Sequence, residues 1–238
     1  MSLTIPRRFC GPPESGNGGW VSGQLAEHTP TTVDRPAVSV RLSSPPPLER
    51  PLTYGGYGSV TLLQDGSTGI ASATTAPALD SEPAPPVDLG TARAAEAGYE
   101  GLIDHPFPTC FSCGTDRDPA DALCLRPGPL ADGTTRYAAS WVPWASDLPL
   151  VWAALDCPGG WSAGIAGRPM VLGTMTAQIE ALPVVGEPHV IVARPRGGEG
   201  RKFLSESFLY TADGRLLARA EATWIAVNPS DIRPRGAS

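Results

Sequence analysis

The chain has 238 residues, 41% of them hydrophobic, and this length suits two modules of roughly 100 residues each. The formal net charge of −6 argues against non-specific nucleic-acid binding, which needs a strongly basic surface. No apolar run approaches the roughly 20 residues that span a bilayer, and residues 1–10 lack the apolar segment of a signal peptide. A cytoplasmic protein without membrane contact is therefore expected.

Glycine and proline each occur 27 times, which favours turns and strand edges over long helices. The first half begins with a glycine-rich turn that leads into a short helix over residues 16–27. Residues 37–42 alternate with period two and predict a strand. The runs 59–63 and 69–74 flank Asp65-Gly66, a strong hairpin signal. Residues 76–86 predict a proline-rich linker, followed by a short helix over 89–100.

The second half repeats this order. Residues 135–141 predict a strand, and residues 151–156 predict a buried helix that Pro158 and the glycines after it bring to an end. Strands are expected over 170–182 and 189–194. The runs 201–211 and 215–227 flank Asp213-Gly214, which predicts a second hairpin.

Matching hairpins, and a Gly-Gly-Trp in each half, favour duplication of a whole module. The predicted organisation is a first module over 1–80, a linker with a short helix over 81–104, a second module over 105–230 and a flexible tail over 231–238. One helix followed by antiparallel strands is an α+β unit. Joining two such units edge to edge would protect an otherwise open sheet edge.

Three stretches resemble the hotdog-fold thioesterase superfamily, in particular double-hotdog acyl-CoA thioesterase-like proteins of actinobacterial type. Residues 17–23 look like the glycine turn that opens the central helix of that family. Residues 108–114 look like its C-F-x-C-G segment, and residues 151–156 look like its helix with an acidic residue. The resemblance implies a double hotdog with one continuous sheet. It also implies hydrolysis of an acyl-CoA or carrier-protein thioester, no cofactor, and further assembly into homo-oligomers.

The second half departs from the family pattern because residues 147–150 stand where a His-Gly-Gly would be. The alignment of the second half with the family helix is also open. Aligning the two Gly-Gly-Trp motifs puts Asp156 before a helix, whereas aligning residues 151–156 with the family helix puts it near the helix centre. We favour the second alignment.

The resemblance implies a carboxylate that activates water, together with backbone N–H donors for the thioester oxygen. Asp156, in an apolar segment, is the candidate base; the simpler interpretation is that it caps the turn at Pro158. Glu27 is the equivalent acid of the first half, or else a solvated helix-end carboxylate. Asn17 could orient the carbonyl or the water, or serve only as a helix cap. Gly18 and Gly19 could supply the amide donors.

Several further residues could contact the substrate. Arg194, Arg201 and Lys202 surround a glycine-rich loop and could bind the phosphates of coenzyme A, although a solvated turn is an equal alternative. Trp20, Trp152 and Trp161 could line an acyl tunnel but are more often core residues. The remaining candidates are Gly159, Gly160 and Thr174.

The five cysteines are odd in number and follow no secretory signal, which argues against a disulfide framework. Cys110 and Cys113 form a C-x-x-C, and Cys124 with His105 could complete a zinc set on paper. Two thiols in a tight loop are the simpler interpretation, so no metal is predicted.

Two alternative functions remain open. A hotdog protein could bind an acyl or aromatic ligand without turnover, which the missing second His-Gly-Gly motivates. Hydratase or dehydratase chemistry would use a His and acid pair, for which His28 beside Glu27 is the only basis. The sequence argues against a serine or cysteine hydrolase, since it contains no G-x-S-x-G or Cys-His context.

Overall fold

A computed structural model describes residues 1–232, so positions 233–238 of the predicted tail lie outside the described residues. The described chain has three α-helices, α1 (Gly18–Ala26), α2 (Leu89–Glu96) and α3 (Leu148–Ser162). None of these helices is long and apolar enough to cross a membrane. The eleven strands are β1 (Ser2–Thr4), β2 (Ala37–Leu42), β3 (Pro51–Tyr57), β4 (Val60–Asp65), β5 (Thr68–Ala76), β6 (Gly128–Pro129), β7 (Tyr137–Trp141), β8 (Met170–Ile179), β9 (His189–Glu199), β10 (Lys202–Thr211) and β11 (Leu216–Ala226).

All eleven strands form one antiparallel sheet in the order β1-β3-β4-β5-β2-β8-β11-β10-β9-β7-β6. Strands β2 and β8 lie at the centre of the sheet. Read outward from them, the two halves have equivalent orders, β2-β5-β4-β3 in the first half and β8-β11-β10-β9 in the second. Each half also has a strand before its helix, β1 or β7, which pairs with β3 or β9. The predicted pair of similar modules and the single continuous sheet are therefore confirmed.

The two halves join through β2 and β8, which pair antiparallel from Ala37 opposite Gln178 to Arg41 opposite Thr174. The hydroxyl of Thr176 donates to Ser39 Oγ across this seam at 2.9 Å. Two strands that would each be an exposed edge in a separate module thus satisfy each other's backbone hydrogen bonds.

Helices α1 and α3 pack against each other antiparallel, and glycines allow their backbones to meet. A Cβ at Gly19 would lie 2.6 Å from the Trp152 carbonyl oxygen, and a Cβ at Gly23 would lie 2.4 Å from Pro149 Cα. Side chains at these two positions would force the helices apart. The contact brings the start of α1 beside the middle of α3.

The predicted end of the second helix was wrong. Helix α3 does not stop at Pro158 but continues through Gly159, Gly160 and Trp161 to Ser162. A proline inside a helix removes one backbone hydrogen bond. Burial of nearly the whole helix outweighs that cost, since every residue from Pro149 to Ser162 is buried.

The segment between the modules covers the outer face of the second half of the sheet. Helix α2 presents Ala92 and Ala95 to a small apolar cluster that includes Val192, Phe208 and Tyr210 of the strands beneath. The Tyr210 hydroxyl also donates to the Ala84 carbonyl. The linker is therefore a packed layer on the outer face. It leaves the opposite face, which carries α1 and α3, free to form a site.

Candidate active site

Asp156 lies near the centre of α3, as the favoured alignment predicted, and its side chain is only 3% exposed. Its Oδ2 accepts a hydrogen bond from the backbone N–H of Gly19 at 3.0 Å and from Asn17 Nδ2 at 3.3 Å. Its Oδ1 is buried and has no partner among the described residues. A carboxylate of the second half is thus held by the helix start of the first.

Burial raises the pKa of Asp156 to about 7. The nearby Cys110 acts in the same direction, whereas the hydrogen bonds from Gly19 and Asn17 lower the pKa. Desolvation disfavours the charged form of a carboxyl group, which makes the carboxylate a stronger base than an exposed one.

Asn17 serves two purposes at once. Its Oδ1 accepts from the Trp20 N–H at 2.8 Å, which makes it the N-cap of α1. Its Nδ2 donates to Asp156 and lies 3.7 Å from Cys110 Sγ. The capping bond fixes the amide so that Nδ2 lies beside the carboxylate, and the predicted role of Asn17 in orienting the carbonyl or the water stays a prediction.

The pseudo-symmetry creates only one such arrangement. Asn17 and Asp147 are the N-caps of α1 and α3, so they occupy equivalent positions. Counted from these caps, Pro149 is the counterpart of Gly19 and Ala26 is the counterpart of Asp156. The second position therefore has a residue without an N–H in place of the donor and a methyl group in place of the acid.

A cavity of about 360 Å³ opens beside this carboxylate and is lined by both halves. Asn17 and Gly18 line it from the first half, and Asp156 and Trp161 line it from the second. Much of the remaining wall is apolar, including Leu42, Ile165, Met170, Leu172, Trp224 and Ile225. The cavity suits a ligand that has an apolar portion and one polar group near Asp156.

Gly18 lines this cavity and has a backbone N–H without an acceptor among the described residues. It is the first residue of α1, where backbone N–H groups lack intrahelical partners, and no described residue accepts from it. The positive end of the helix dipole lies at the same point. This amide could stabilise a negative oxygen in the cavity.

Glu27 does not join this site. It is the exposed C-cap of α1, one full helix away from Gly19, and it does not line the cavity. Burial nevertheless raises its pKa, and the neighbouring Asp147 acts in the same direction. His28 is also exposed and packs edge-on against Tyr54, so the His and acid pair lies away from the cavity.

Of the predicted tryptophan contacts and the glycines of α3, one lines the cavity and the others do not. Trp161 lines the cavity, whereas Trp20 stacks on Phe9 at 4.1 Å and Trp152 is buried at the helix–helix contact. Gly159 and Gly160 do not line the cavity. They let α3 approach the sheet, since a Cβ on Gly159 would lie 2.7 Å from Ser205 Oγ and one on Gly160 would lie 2.9 Å from the Trp224 ring.

The predicted phosphate and polar contacts lie on both sides of the sheet. Arg201 is exposed and lines the cavity, and Lys202 beside it is exposed but does not. Arg194 is bound to the buried carboxylate of Glu206 at 2.5 Å and to the Glu82 carbonyl at 2.6 Å. Thr174 lies beside Arg196 and Glu206 in a separate depression. Arg194 and Thr174 are thus away from Asp156.

The sequence missed a cluster of thiols in the same cavity. Cys157 follows Asp156 in α3, and its Sγ lies 3.7 Å from Cys110 Sγ of the C-x-x-C loop. The sulfurs of Cys110, Cys113 and Cys157 all lie within 4.8 Å of one another, whereas the half-buried Cys124 is not among them. Cys110 and Cys157 are 47 positions apart, so their spacing in the chain carried no signal of this contact.

Neither a scan of protein-family models nor a search of curated proteins gave a match to this chain. Solved structures do match. The TesB protein of Mycobacterium avium subsp. paratuberculosis aligns at TM-score 0.60 and 12% identity over 95% of this chain and 91% of that one. An acyl-CoA thioesterase II of Mycobacterium marinum aligns at TM-score 0.59 and 12% identity over 96% and 93%.

A protein of unknown function with a hot dog fold from Alicyclobacillus acidocaldarius aligns at TM-score 0.55 and 12% identity over 96% and 93%. At these identities the likeness concerns the fold. Together with the mirrored eleven-stranded sheet and its two central helices, it shows that this chain has the double-hotdog fold of TesB-like thioesterase structures.

Proposed function

We propose that the protein hydrolyses acyl thioesters, with coenzyme A or a carrier protein as the thiol, at the cavity between its two halves. The observation that carries the proposal is the buried Asp156 carboxylate, held by Gly19 N–H and Asn17 where an apolar cavity meets the start of α1. The match to structures described as thioesterases supports the reaction class.

In this proposal Asp156 accepts a proton from a water molecule as the water oxygen bonds to the acyl carbon. Oδ2 is already occupied by two donors, so the unpartnered Oδ1 is the atom available for the proton. The Gly18 N–H stabilises the oxyanion that forms. The carbon–sulfur bond then breaks, and the thiolate leaves and is protonated.

The test of this reaction is release of free thiol from a series of short, medium and long acyl-CoAs by the purified chain. Turnover of at least one of them above the rate without protein is expected. Ligand-induced thermal stabilisation without any thiol release would instead favour the non-hydrolytic binding protein, and the proposal would then be wrong.

Arg201 is the proposed contact for the coenzyme A phosphates, because it is an exposed cation on the cavity wall. Arg201→Ala is expected to raise KM for acyl-CoA about tenfold, the effect of losing one charged hydrogen bond, with little change in kcat. The same variant should hydrolyse an N-acetylcysteamine thioester, which lacks phosphates, like the unaltered protein.

Lys202→Ala removes a neighbouring exposed cation outside the cavity and is the matched control. Equal KM increases in both variants, or on both substrates, would contradict this role.

A further inference from the structure

Three thiols converge in the cavity wall from two distant parts of the chain. Cys110 and Cys113 lie in a tight loop, and Cys157 lies on α3. Their sulfurs are within 4.8 Å of one another, and Cys110 Sγ and Cys157 Sγ are 3.7 Å apart. In a tetrahedral site with Zn–S bonds of about 2.3 Å, sulfurs lie about 3.8 Å apart. The Cys110–Cys157 distance thus matches that of two thiolates on one ion, and the other two sulfur pairs lie within 4.8 Å.

The loop is built so that its two thiols lie side by side. The Gly114 N–H donates to the Cys110 carbonyl at 2.8 Å, which closes the turn. A Cβ on Gly114 would lie 2.5 Å from that carbonyl oxygen, so the turn requires glycine. The Tyr99 hydroxyl donates to the Cys113 carbonyl at 2.7 Å and ties the turn to the core.

N–H groups surround the sulfurs, although neutral thiols are weak acceptors. Asn17 Nδ2 lies 3.7 Å from Cys110 Sγ. His105 Nδ1 accepts from the Phe107 N–H at 2.9 Å, which leaves the proton on Nε2, and Nε2 lies 3.4 Å from Cys113 Sγ. The buried Trp161 indole N–H has no hydrogen-bond partner among the described residues and lines the same cavity. Donors in these positions favour thiolates.

Of the three thiols, only Cys110 has a lowered pKa, whereas the pKa values of Cys113 and Cys157 are raised well above their usual range. Hydrogen bonds from the Cys113 and Cys157 thiols, opposed by burial and aided by the N–H groups of Cys113 and Ser112, hold the pKa of Cys110 well below its usual range. Burial raises the pKa of Cys113, whereas Trp161 acts to lower it. A bound cation would favour the thiolate forms of all three, since uncompensated buried charge is costly.

We propose that Cys110, Cys113 and Cys157 bind a thiophilic divalent metal ion, with zinc as the expected ion. All three thiols line the cavity, which would give an ion an entry path and leave room for a water molecule as a fourth ligand. His105, whose Nε2 carries the proton, acts as a donor to Cys113 and not as a ligand. The proposal does not depend on thioester hydrolysis.

The test uses the full chain, purified without a polyhistidine tag or chelator, and measures metal content by mass spectrometry. About one zinc per chain is expected in the unaltered protein. Replacement of zinc by Co²⁺ should give the sulfur-to-cobalt charge-transfer bands and intense visible bands of a tetrahedral thiolate site. Cys113→Ser should lose the metal and these bands, whereas Cys124→Ser, the matched control outside the cluster, should keep both.

Three results would overturn the proposal. One is unaltered protein that neither holds zinc nor shows the cobalt bands after reconstitution. Another is equal metal content in Cys113→Ser and the unaltered protein. The third is a count of three free thiols instead of five after denaturation in chelator without reductant, which would mean that two cysteines form a disulfide. If Cys113→Ser does not fold, the first and third measurements still decide the matter, and neither needs a thioester substrate.

Discussion

Asp156→Asn is expected to lower kcat for acyl-thioester hydrolysis by roughly two to four orders of magnitude, the usual contribution of a general base. An amide cannot take the proton of the attacking water. Its oxygen can still accept from Gly19 N–H and Asn17, so the helix contact should survive. KM should therefore change little. The measurement is steady-state thiol release, with circular dichroism to show that the variant is folded.

Glu27→Gln is the matched control for this substitution. It removes a carboxylate from the same helix pair, but from an exposed position that does not line the cavity. Its activity should stay within about twofold of the unaltered protein, since solvated surface groups contribute little. An active Asp156→Asn variant would contradict the role of Asp156 as the base. An inactive but folded Glu27→Gln variant would contradict the placement of Glu27 outside the active site.

Gly19→Ala is expected to destabilise the fold by about 2–4 kcal/mol, which corresponds to a fall in Tm of roughly 5–15 °C for a chain of this size. The new methyl group would lie 2.6 Å from the Trp152 carbonyl oxygen and 2.5 Å from Asp156 Cβ. Neither atom can rotate away, so α1 and α3 must separate. The measurement is thermal or denaturant unfolding.

Gly23→Ala should have an effect of similar size, since its Cβ would lie 2.4 Å from Pro149 Cα at the same helix–helix contact. The two substitutions should not add, because the first one already separates the helices that the second one pushes on. Gly69→Ala is the control: this strand glycine is exposed and nothing lies within 4 Å of its added Cβ. A Tm within 2 °C of the unaltered protein for all three variants would contradict the tight helix contact.

The sequence predicted the fold well because its strongest signals were local. The two Asp-Gly turns lie between β4 and β5 and between β10 and β11, and Gly66 and Gly214 have the positive φ that such turns require. The strand over residues 37–42 was found with its correct ends. Turn chemistry and period-two alternation act over a few residues, so one sequence is enough to detect them.

The site was predictable only in part, since it depends on contacts across the halves. The candidate roles of Asn17 and Asp156 came from a family resemblance, but their direct hydrogen bond was not predicted, since they are 139 positions apart. Period two shows that alternate strand residues share a face but not which face, and so the sequence could not show that Thr174 lies away from the cavity. The coverage of the outer face by α2 likewise could not be read from its short, alanine-rich sequence.

The presence of Pro149 at the position equivalent to Gly19 has a consequence for either half taken alone. A homodimer made from the second half alone would carry two copies of Asp156 facing two prolines, with no peptide hydrogen to hold either carboxylate. A homodimer of the first half would offer two glycine amides to two alanine methyl groups. The Asp156 carboxylate and the Gly19 N–H that holds it come from different halves, so neither half could form this arrangement by pairing with a second copy of itself.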